Sequence, residues 1–148
     1  MSINHLYHSW VSQLWQLRPK ERVTRIRVLA WLVIGIYQSK SVHLSAIAQE
    51  IPSQAKLLSV VKRLERLLNN PALQVRSWYE PMARSWLQSA AASGEIRLIV
   101  DGSKVGFGHQ LLMIAVAYRR RSIPIVWTWI KGARGHSSAR TQIALLAY

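Results

Sequence analysis

Three short apolar runs decide the fold of the C-terminal part of this chain: IRLIVD at residues 96–101, LLMIAVAY at 111–118 and IPIVWTW at 123–129. They are rich in the β-branched and aromatic side chains that pack well on a pleated sheet. Glycine-rich or arginine-rich segments separate the runs from one another. The pattern predicts three successive β-strands.

The two separating segments predict how these strands connect. Gly106 and Gly108 lie between the first two runs, and glycine tolerates the positive φ that a hairpin turn needs. The next turn is predicted at Arg119, Arg120 and Arg121. Because both connections are short, the strands should begin as an antiparallel meander, and Pro124 is tolerable in the third strand if that strand lies at a sheet edge.

Upstream of these strands the hydrophobic period is that of helices. Apolar residues recur three and four positions apart, as they do on one face of an amphipathic helix. The change of period near Ser93 and Gly94 predicts a domain boundary, with a helical region over residues 1–93 and a second domain over 94–148. The expected fold class is therefore α+β.

Residues 43–69 have the pattern of a helix-turn-helix segment, with a short helix, a tight turn at 52–54 and a longer helix. The apolar face of the short helix consists of Leu44, Ile47, Ala48 and Ile51. The residues expected to face inward from the longer helix are Leu57, Val61, Leu64 and Leu68.

The other side of the longer helix is strongly basic. Its candidate DNA-contacting residues are Lys56, Ser59, Lys62, Arg63 and Arg66. A helix of this kind can lie along a DNA groove, where cations meet phosphates while the buried stripe fixes the angle of approach. Such a face is more often merely solvated, but the upstream segment repeats the basic excess. The candidate set therefore also includes Arg22 and Arg25, and the predicted turn adds Arg119, Arg120 and Arg121.

The composition favours a nucleic-acid partner. The 148 residues include 20 Lys and Arg against 6 Asp and Glu, a formal charge of +14 that favours a polyanionic partner over a small-molecule substrate. The chain has no cysteine, which excludes disulfides and thiolate chemistry and fits a reducing cytoplasm. No export signal is visible, and the most apolar stretch is about half as long as a membrane-spanning helix. We expect a cytoplasmic, nucleoid-associated protein without a membrane partner.

Asp101 is the candidate for metal chemistry, and it is the only aspartate in the sequence. The pattern places it at the end of a buried first strand, directly before Gly102, where a carboxylate can project into a cleft and hold a divalent cation. The alternative is that Asp101 only starts a turn, as aspartate often does. The following GSKVGFG lacks the Gly-Lys-Ser/Thr ending of a phosphate-binding loop, so it does not predict nucleotide binding.

Four aromatic residues have structural interpretations. Trp78 and Trp86 lie at helical spacing and are expected in the core rather than stacked on bases. His109 and His136 stand in predicted turns, and no second histidine accompanies either at a ligand spacing. Loop or capping roles are expected for both histidines.

A resemblance to a known family covers most of the chain. The run RLIVDGSKVGFGHQLLMIAVAYRRRSIPIVWTWIKGARGHSSARTQIALL at residues 97–146 resembles the start of the catalytic domain of bacterial DDE-type insertion-sequence transposases, in the insertion-sequence-four group. It shares the aspartate that closes strand one and a Gly-x-x-Gly-His-Ser turn before a helix. RLERLLNNPAL at 63–73 resembles the end of that group's N-terminal DNA-binding region. The resemblance implies a helical DNA-binding bundle followed by an incomplete ribonuclease-H-like domain, a three-stranded antiparallel meander plus the start of a helix.

The resemblance also implies a role for Asp101 in catalysis. Asp101 would be the first of three carboxylates that hold two Mg²⁺ or Mn²⁺ ions. Two such ions would activate water for attack on a DNA phosphodiester and would later support strand transfer in DNA transposition. The implied partner is double-stranded DNA at the element ends.

The acidic residues of this chain depart from the family's pattern. They are Glu21, Glu50, Glu65, Glu80, Glu95 and Asp101, so no carboxylate follows the candidate ligand. One carboxylate is not expected to hold two strongly hydrated metal ions, so the chain is predicted to be inactive alone and to use Mg²⁺ or Mn²⁺ only in a completed active site. The last helix, capped by Ser137 or Ser138, has no stop signal. We therefore expect a truncated chain that a downstream transposase fragment or a second protomer would complete.

Two other functions stay open at this point. The chain could be a non-catalytic DNA-binding protein or repressor derived from a transposase, which would tolerate Asp101→Asn. It could also be a basic RNA-binding protein, which would show no preference for duplex element ends.

Overall fold

The computed structural model describes residues 2–92, 94–106, 108–131 and 137–148, and over these ranges it contains six helices and a three-stranded antiparallel sheet. The helices are α1 (Ile3–Leu17), α2 (Val23–Ser39), α3 (Leu44–Gln49), α4 (Leu57–Leu68), α5 (Val75–Ala91) and α6 (Ala139–Leu146). The strands are β1 (Leu98–Lys104), β2 (His109–Tyr118) and β3 (Arg121–Lys131). The predicted α+β class and the three successive strands are confirmed.

The chain divides into two compact units, Met1–Trp78 and Tyr79–Tyr148, which we call unit 1 and unit 2. The division falls within α5. The predicted boundary lies at Ser93, a residue outside the described ranges, so the domains 1–93 and 94–148 stay a prediction. Over the ranges that the structure describes, no helix is both long and apolar enough to cross a membrane.

Unit 1 is organised around α2. One buried cluster consists of Leu14, Ile26, Ala30 and Trp78. The second cluster consists of Leu32, Ile47, Ala48, Ile51, Val60, Leu64 and Leu67. Because α2 contributes side chains to both clusters, it fixes the placement of α1 on one side and of α3 and α4 on the other. The predicted apolar face of the short helix is confirmed, since Ile47, Ala48 and Ile51 are buried.

A close approach of α2 to α3 occurs at Gly35. A Cβ atom at this position would lie 2.6 Å from Ile47 Cγ2 and 3.0 Å from the Ile47 carbonyl oxygen. Ile47 is almost completely buried, and close-packed protein interiors leave little room for such a side chain to shift. The packing of these two helices therefore depends on the missing side chain of Gly35.

Helix α4 turns a different stripe inward from the one predicted. Its buried residues are Val60, Leu64 and Leu67. Leu57 and Leu68 are 43% and 50% exposed, so the expectation that they face inward is wrong, whereas that for Leu64 is confirmed. The sequence LLSVVKRLERLL contains adjacent apolar pairs, and either member of a pair fits the helical period. Only the contacts with α2 and α3 decide between them.

The connection between α3 and α4 is longer than predicted. It covers residues 50–56, whereas a typical helix-turn-helix turn has about 3–4 residues. The predicted turn at 52–54 lies within this connection, and Ile51 at its start is buried in the second cluster. Asn69 then forms the C-terminal cap of α4.

The sheet of unit 2 has the strand order β1-β2-β3, with both pairings antiparallel. Strand β3 is paired on one side only in the described chain, which is the arrangement in which Pro124 is tolerable. Gly106 and Gly108 have φ values of +64° and +74° in the first hairpin connection, which confirms their predicted role in the turn. Ser138 caps α6 by accepting a hydrogen bond from the Thr141 amide at 3.2 Å.

The second hairpin has a two-residue turn. Its central residues, Arg119 and Arg120, have φ values of 47° and 63°, and a two-residue loop with both residues left-handed is of type I′. Arg121 pairs with Tyr118 and is the first residue of β3, so the expectation that it belongs to the turn is wrong. The turn is shorter than predicted because the pairing of β2 with β3 extends to Tyr118 and Arg121.

Tyr79 anchors the unit 2 part of α5 to β3. Its hydroxyl donates a hydrogen bond of 2.5 Å to the Pro124 carbonyl, and its ring lies edge-on against Trp127 at 5.0 Å. Burial raises the pKa of the Tyr79 hydroxyl above its ordinary value of 10.0. On the same helix Trp86 is half-buried and contacts the Tyr79 ring at 5.8 Å. Trp78 is 7% exposed, which confirms that it is a core residue.

Candidate nucleic-acid interface and the Asp101 position

The main candidate site is an open cleft in unit 1 between the first half of α2 and α4. Its volume is about 560 Å³. The side chains at its apolar floor are Val28, Trp31, Ile51, Val60, Leu64 and Leu67. The arginines that line it are Arg22, Arg25, Arg27, Arg63 and Arg66. None of the described lining residues is acidic.

The arginines of this cleft differ in whether their guanidinium groups already interact with other residues of the chain. Arg25 is ion-paired with Glu21 on the previous turn, and both side chains are largely buried. The Arg66 Nε donates to the Lys62 carbonyl at 3.3 Å, which holds its side chain along α4. Over the described ranges, Arg22, Arg27 and Arg63 have no carboxylate partner and are exposed. Three unpaired guanidinium groups therefore face an anion that enters the cleft.

The predicted basic side of α4 is exposed to solvent. The exposed candidate residues of this helix are Ser59, Lys62, Arg63 and Arg66. Ser59, Lys62 and Arg66 line a shallow depression together with Glu65. Because Arg66 lines both this depression and the cleft, the two form one continuous basic surface, which we call the α2–α4 surface.

The structure brings together candidates that are distant in sequence. Arg22 and Arg25 from the start of α2 lie at the same cleft as Arg63 and Arg66 from α4. Lys56 is exposed at the N-terminal cap of α4. The remaining predicted residues, Arg119, Arg120 and Arg121, belong to unit 2, where the Arg119 guanidinium lies 5.2 Å above the Tyr118 ring.

Several residues that line the cleft are absent from the predicted DNA-binding set, among them Arg27, Tyr7 and Trp31. Arg27 belongs to the same basic segment as Arg22 and could have been included on that ground. Tyr7 and Trp31 stack on each other, with ring centroids 4.2 Å apart and planes 15° apart. Nothing in the local pattern indicates this pair, because Tyr7 reaches the cleft from α1.

One basic residue near this segment has a structural role instead. Arg18 donates hydrogen bonds to the Ser77 carbonyl at 3.1 Å and to the Ser77 hydroxyl at 3.4 Å. Its guanidinium lies 5.4 Å from the centroid of the Trp78 ring. Arg18 therefore joins the end of α1 to the beginning of α5 rather than contributing to a binding surface.

Asp101 lies in the middle of β1, not at its end. It pairs with Met113 of β2, and the strand continues to Lys104, so the expectation that Asp101 closes the strand is wrong. Every residue of β1 is exposed, so the strand is not buried as predicted. The strand continues because Gly102 and Ser103 keep pairing with β2. The carboxylate Oδ2 of Asp101 accepts a hydrogen bond from Ser103 Oγ at 3.1 Å.

The surroundings of Asp101 do not fit a pair of divalent cations. Over the described ranges, no group of three or more His, Cys, Asp or Glu residues could hold a metal ion. Carboxylate and carbonyl oxygens from several residues are needed to replace the water around Mg²⁺ or Mn²⁺. His109 is the first residue of β2. His136 lies outside the described residues, as does all of the predicted Gly-x-x-Gly-His-Ser turn except Ser137.

Comparison of this chain with protein-family models, with curated proteins and with solved structures finds no match.

Proposed function

We propose that this chain binds double-stranded DNA through the α2–α4 surface, as the DNA-binding part of a transposase-like protein that recognises element ends. The observation that carries the proposal is the convergence of Arg22, Arg63 and Arg66 from two segments of the sequence on one cleft without an acidic lining residue. Ordered duplex phosphates are the polyanion that such a surface of fixed cations suits best.

The charge distribution supports this proposal. Three of the ion pairs in the described chain neutralise Arg25, Arg84 and Arg97, and none involves the outer side of α4. The cations on that side are free to exchange their counterions for DNA phosphates, which gives binding that is strongly dependent on salt. The buried stripe of α4 holds the helix on the core of unit 1, so the cations have a fixed orientation.

Within the same proposal, Asp101 would supply one carboxylate to an active site that other residues complete. Its support is the resemblance of residues 97–146 to the start of a DDE-type catalytic domain, together with the order of a helical region followed by a three-stranded antiparallel meander. The metal ions would have to be held mainly by ligands from a downstream fragment or a second protomer, because the described residues offer one exposed carboxylate here.

A second candidate function is a non-catalytic DNA-binding protein or repressor. The position of Asp101 favours it, since an exposed residue in the middle of a strand with Ser103 as its partner is a common structural arrangement. Both candidates require the same DNA-binding surface and differ only in what Asp101 does.

The DNA-binding surface is tested by the double variant K62Q/R66Q. We expect its affinity for a blunt DNA duplex to fall about tenfold or more, and the slope of log K against log salt to become shallower by about 2 units, since two phosphate contacts are removed. Fluorescence anisotropy with a labelled duplex at several salt concentrations measures both quantities.

The matched control for this test is R84Q/R97Q, which removes the same charge from two exposed arginines that are paired with glutamates in unit 2. It should lower the affinity only slightly. Equal losses in the two double variants would show that binding follows net charge and would contradict a defined surface. Preference for RNA over duplex DNA at matched salt would favour the RNA-binding alternative.

Asp101→Asn separates the two candidate functions. Asparagine has nearly the same shape but no charge, so DNA binding should not change in either case. If the chain is a transposase fragment, Mg²⁺-dependent strand cleavage reconstituted with the product of the downstream reading frame should fall by at least about 100-fold. Cleavage at the wild-type rate by the variant would leave the non-catalytic protein as the better assignment.

A further inference from the structure

The α2–α4 cleft has a second property that duplex binding does not use. Its floor is apolar and aromatic, and its volume of about 560 Å³ is within the range of small-molecule sites. A phosphodiester backbone on the outside of a duplex is hydrophilic and needs no apolar floor. The floor therefore suits a ligand that combines negative charge with an apolar or aromatic part.

The aromatic surface in the cleft is accessible. Tyr7 and Trp31 stack on each other, both residues are only partly buried, and both line the cleft. Val28 lies one helical turn before Trp31 on the same side of the cleft. Flat apolar surfaces of this kind pack against nucleobases independently of sequence, because every base presents a π face.

The charged residues stand where phosphates would flank such a base. Arg22 and Arg27 line the cleft from α2, and Arg63 lines it from α4, so unpaired guanidinium groups lie on two sides of the floor. At the start of α2 the Glu21 carboxylate accepts a hydrogen bond from the Arg22 amide at 2.9 Å and pairs with Arg25, so the positive charge of the cleft comes from Arg22, Arg27 and Arg63.

We propose that the α2–α4 cleft binds an unpaired nucleotide, so that the protein prefers a DNA end with a short single-stranded extension over a blunt end. This inference rests on the proposed DNA-binding function and names a feature of its substrate. Arg66 lines both the cleft and the depression on the outer side of α4. Duplex phosphates can therefore bind on the outer side of α4 while the unpaired nucleotide of the same DNA end occupies the cleft. An acidic peptide would share the charge but not the planar aromatic part.

The test compares a labelled blunt duplex with the same duplex that carries a short unpaired thymidine extension. Aromatic packing against one base is strong enough for about tenfold tighter binding of the extended duplex. The informative variant is Thr24→Glu, because Thr24 is exposed, lines the cleft and lies in the first turn of α2. A glutamate there places a negative charge in the cleft, while a carboxylate at a helix N-terminus stabilises the fold.

The measured quantity is the ratio of the two affinities, in which general effects of charge cancel. The ratio should fall from about ten to about one in T24E, and it should stay near the wild-type value in Gln88→Glu, which adds the same charge on an exposed position of unit 2. A wild-type ratio of one, or an unchanged ratio in T24E, would overturn the inference. The inference would also be overturned if polyglutamate displaced the extended duplex as effectively as oligothymidine does.

The two proposals can fail separately. If K62Q/R66Q binds the blunt duplex as wild type does, the proposed duplex surface is wrong, while a preference for the extension that T24E abolishes still supports the nucleotide cleft. If K62Q/R66Q weakens duplex binding but the wild-type protein does not distinguish the two ends, the duplex surface stands and the nucleotide cleft is refuted.

Discussion

Replacing Leu64 with alanine should lower the free energy of unfolding by about 2–5 kcal/mol. Leu64 is 1% exposed and lies in the cluster that joins α2, α3 and α4, so the truncation leaves a cavity that the surrounding side chains cannot fill. Chemical denaturation followed by circular dichroism measures the change. Loss of α4 packing should also abolish duplex binding, because the basic side of the helix would lose its fixed orientation.

The control for Leu64→Ala lies on the same helix. Leu68→Ala removes the same atoms from a side chain that is 50% exposed, so we expect a change within about 0.5 kcal/mol. The pair is informative because both leucines are expected to face inward from the sequence. Equal destabilisation by the two variants would contradict the register of α4 described above.

The second large effect is expected at Gly35. Replacement by valine should destabilise unit 1 by at least about 2 kcal/mol, because the new Cβ would lie 2.6 Å from Ile47 Cγ2 inside a buried contact. The gain in helix propensity over glycine is less than about 1 kcal/mol and does not offset the overlap. The free energy of unfolding measured by denaturant titration tests this expectation.

Two further variants identify the cause of that loss. Gly102→Val adds the same side chain where no atom lies within 4 Å of the new Cβ, and a β-branched residue suits a strand, so stability should not fall. In a chain that carries Ile47→Ala, the colliding methyl group is absent, and Gly35→Val should cost less than in the wild type. An undiminished cost there would rule out the overlap with the Ile47 Cγ2 methyl group as the reason.

Much of the fold can be predicted from the sequence because its signals are local. The strands follow from three β-rich runs, and the hairpins follow from Gly106 and Gly108 and from the short arginine segment. The end of β1 cannot be predicted in this way. Glycine after Asp101 indicates a turn locally, but pairing with β2 extends the strand to Lys104. Long-range pairing overrides a local turn preference.

The candidate site is less predictable for the same reason. The basic side of α4 is readable from the sequence, because charged residues recur at helical spacing. The cleft is not, since it requires side chains from α1, α2 and α4 to meet. Arg25 pairs with Glu21, as their spacing of four residues allows, and this ion pair makes Arg25 less available to a phosphate. The sequence alone gives no reason to treat Arg25 differently from Arg22.

The tip of the second hairpin shows a compromise between conformation and charge. Two adjacent left-handed residues are normally Asn-Gly, and an ordinary L-residue in that region costs about 1–2 kcal/mol. Arg119 and Arg120 occupy both positions, so unit 2 is less stable than the same hairpin with Asn-Gly would be. Folding stability therefore gives no reason for arginine at these two positions, which place a pair of long, exposed cations side by side at the end of the β2–β3 hairpin.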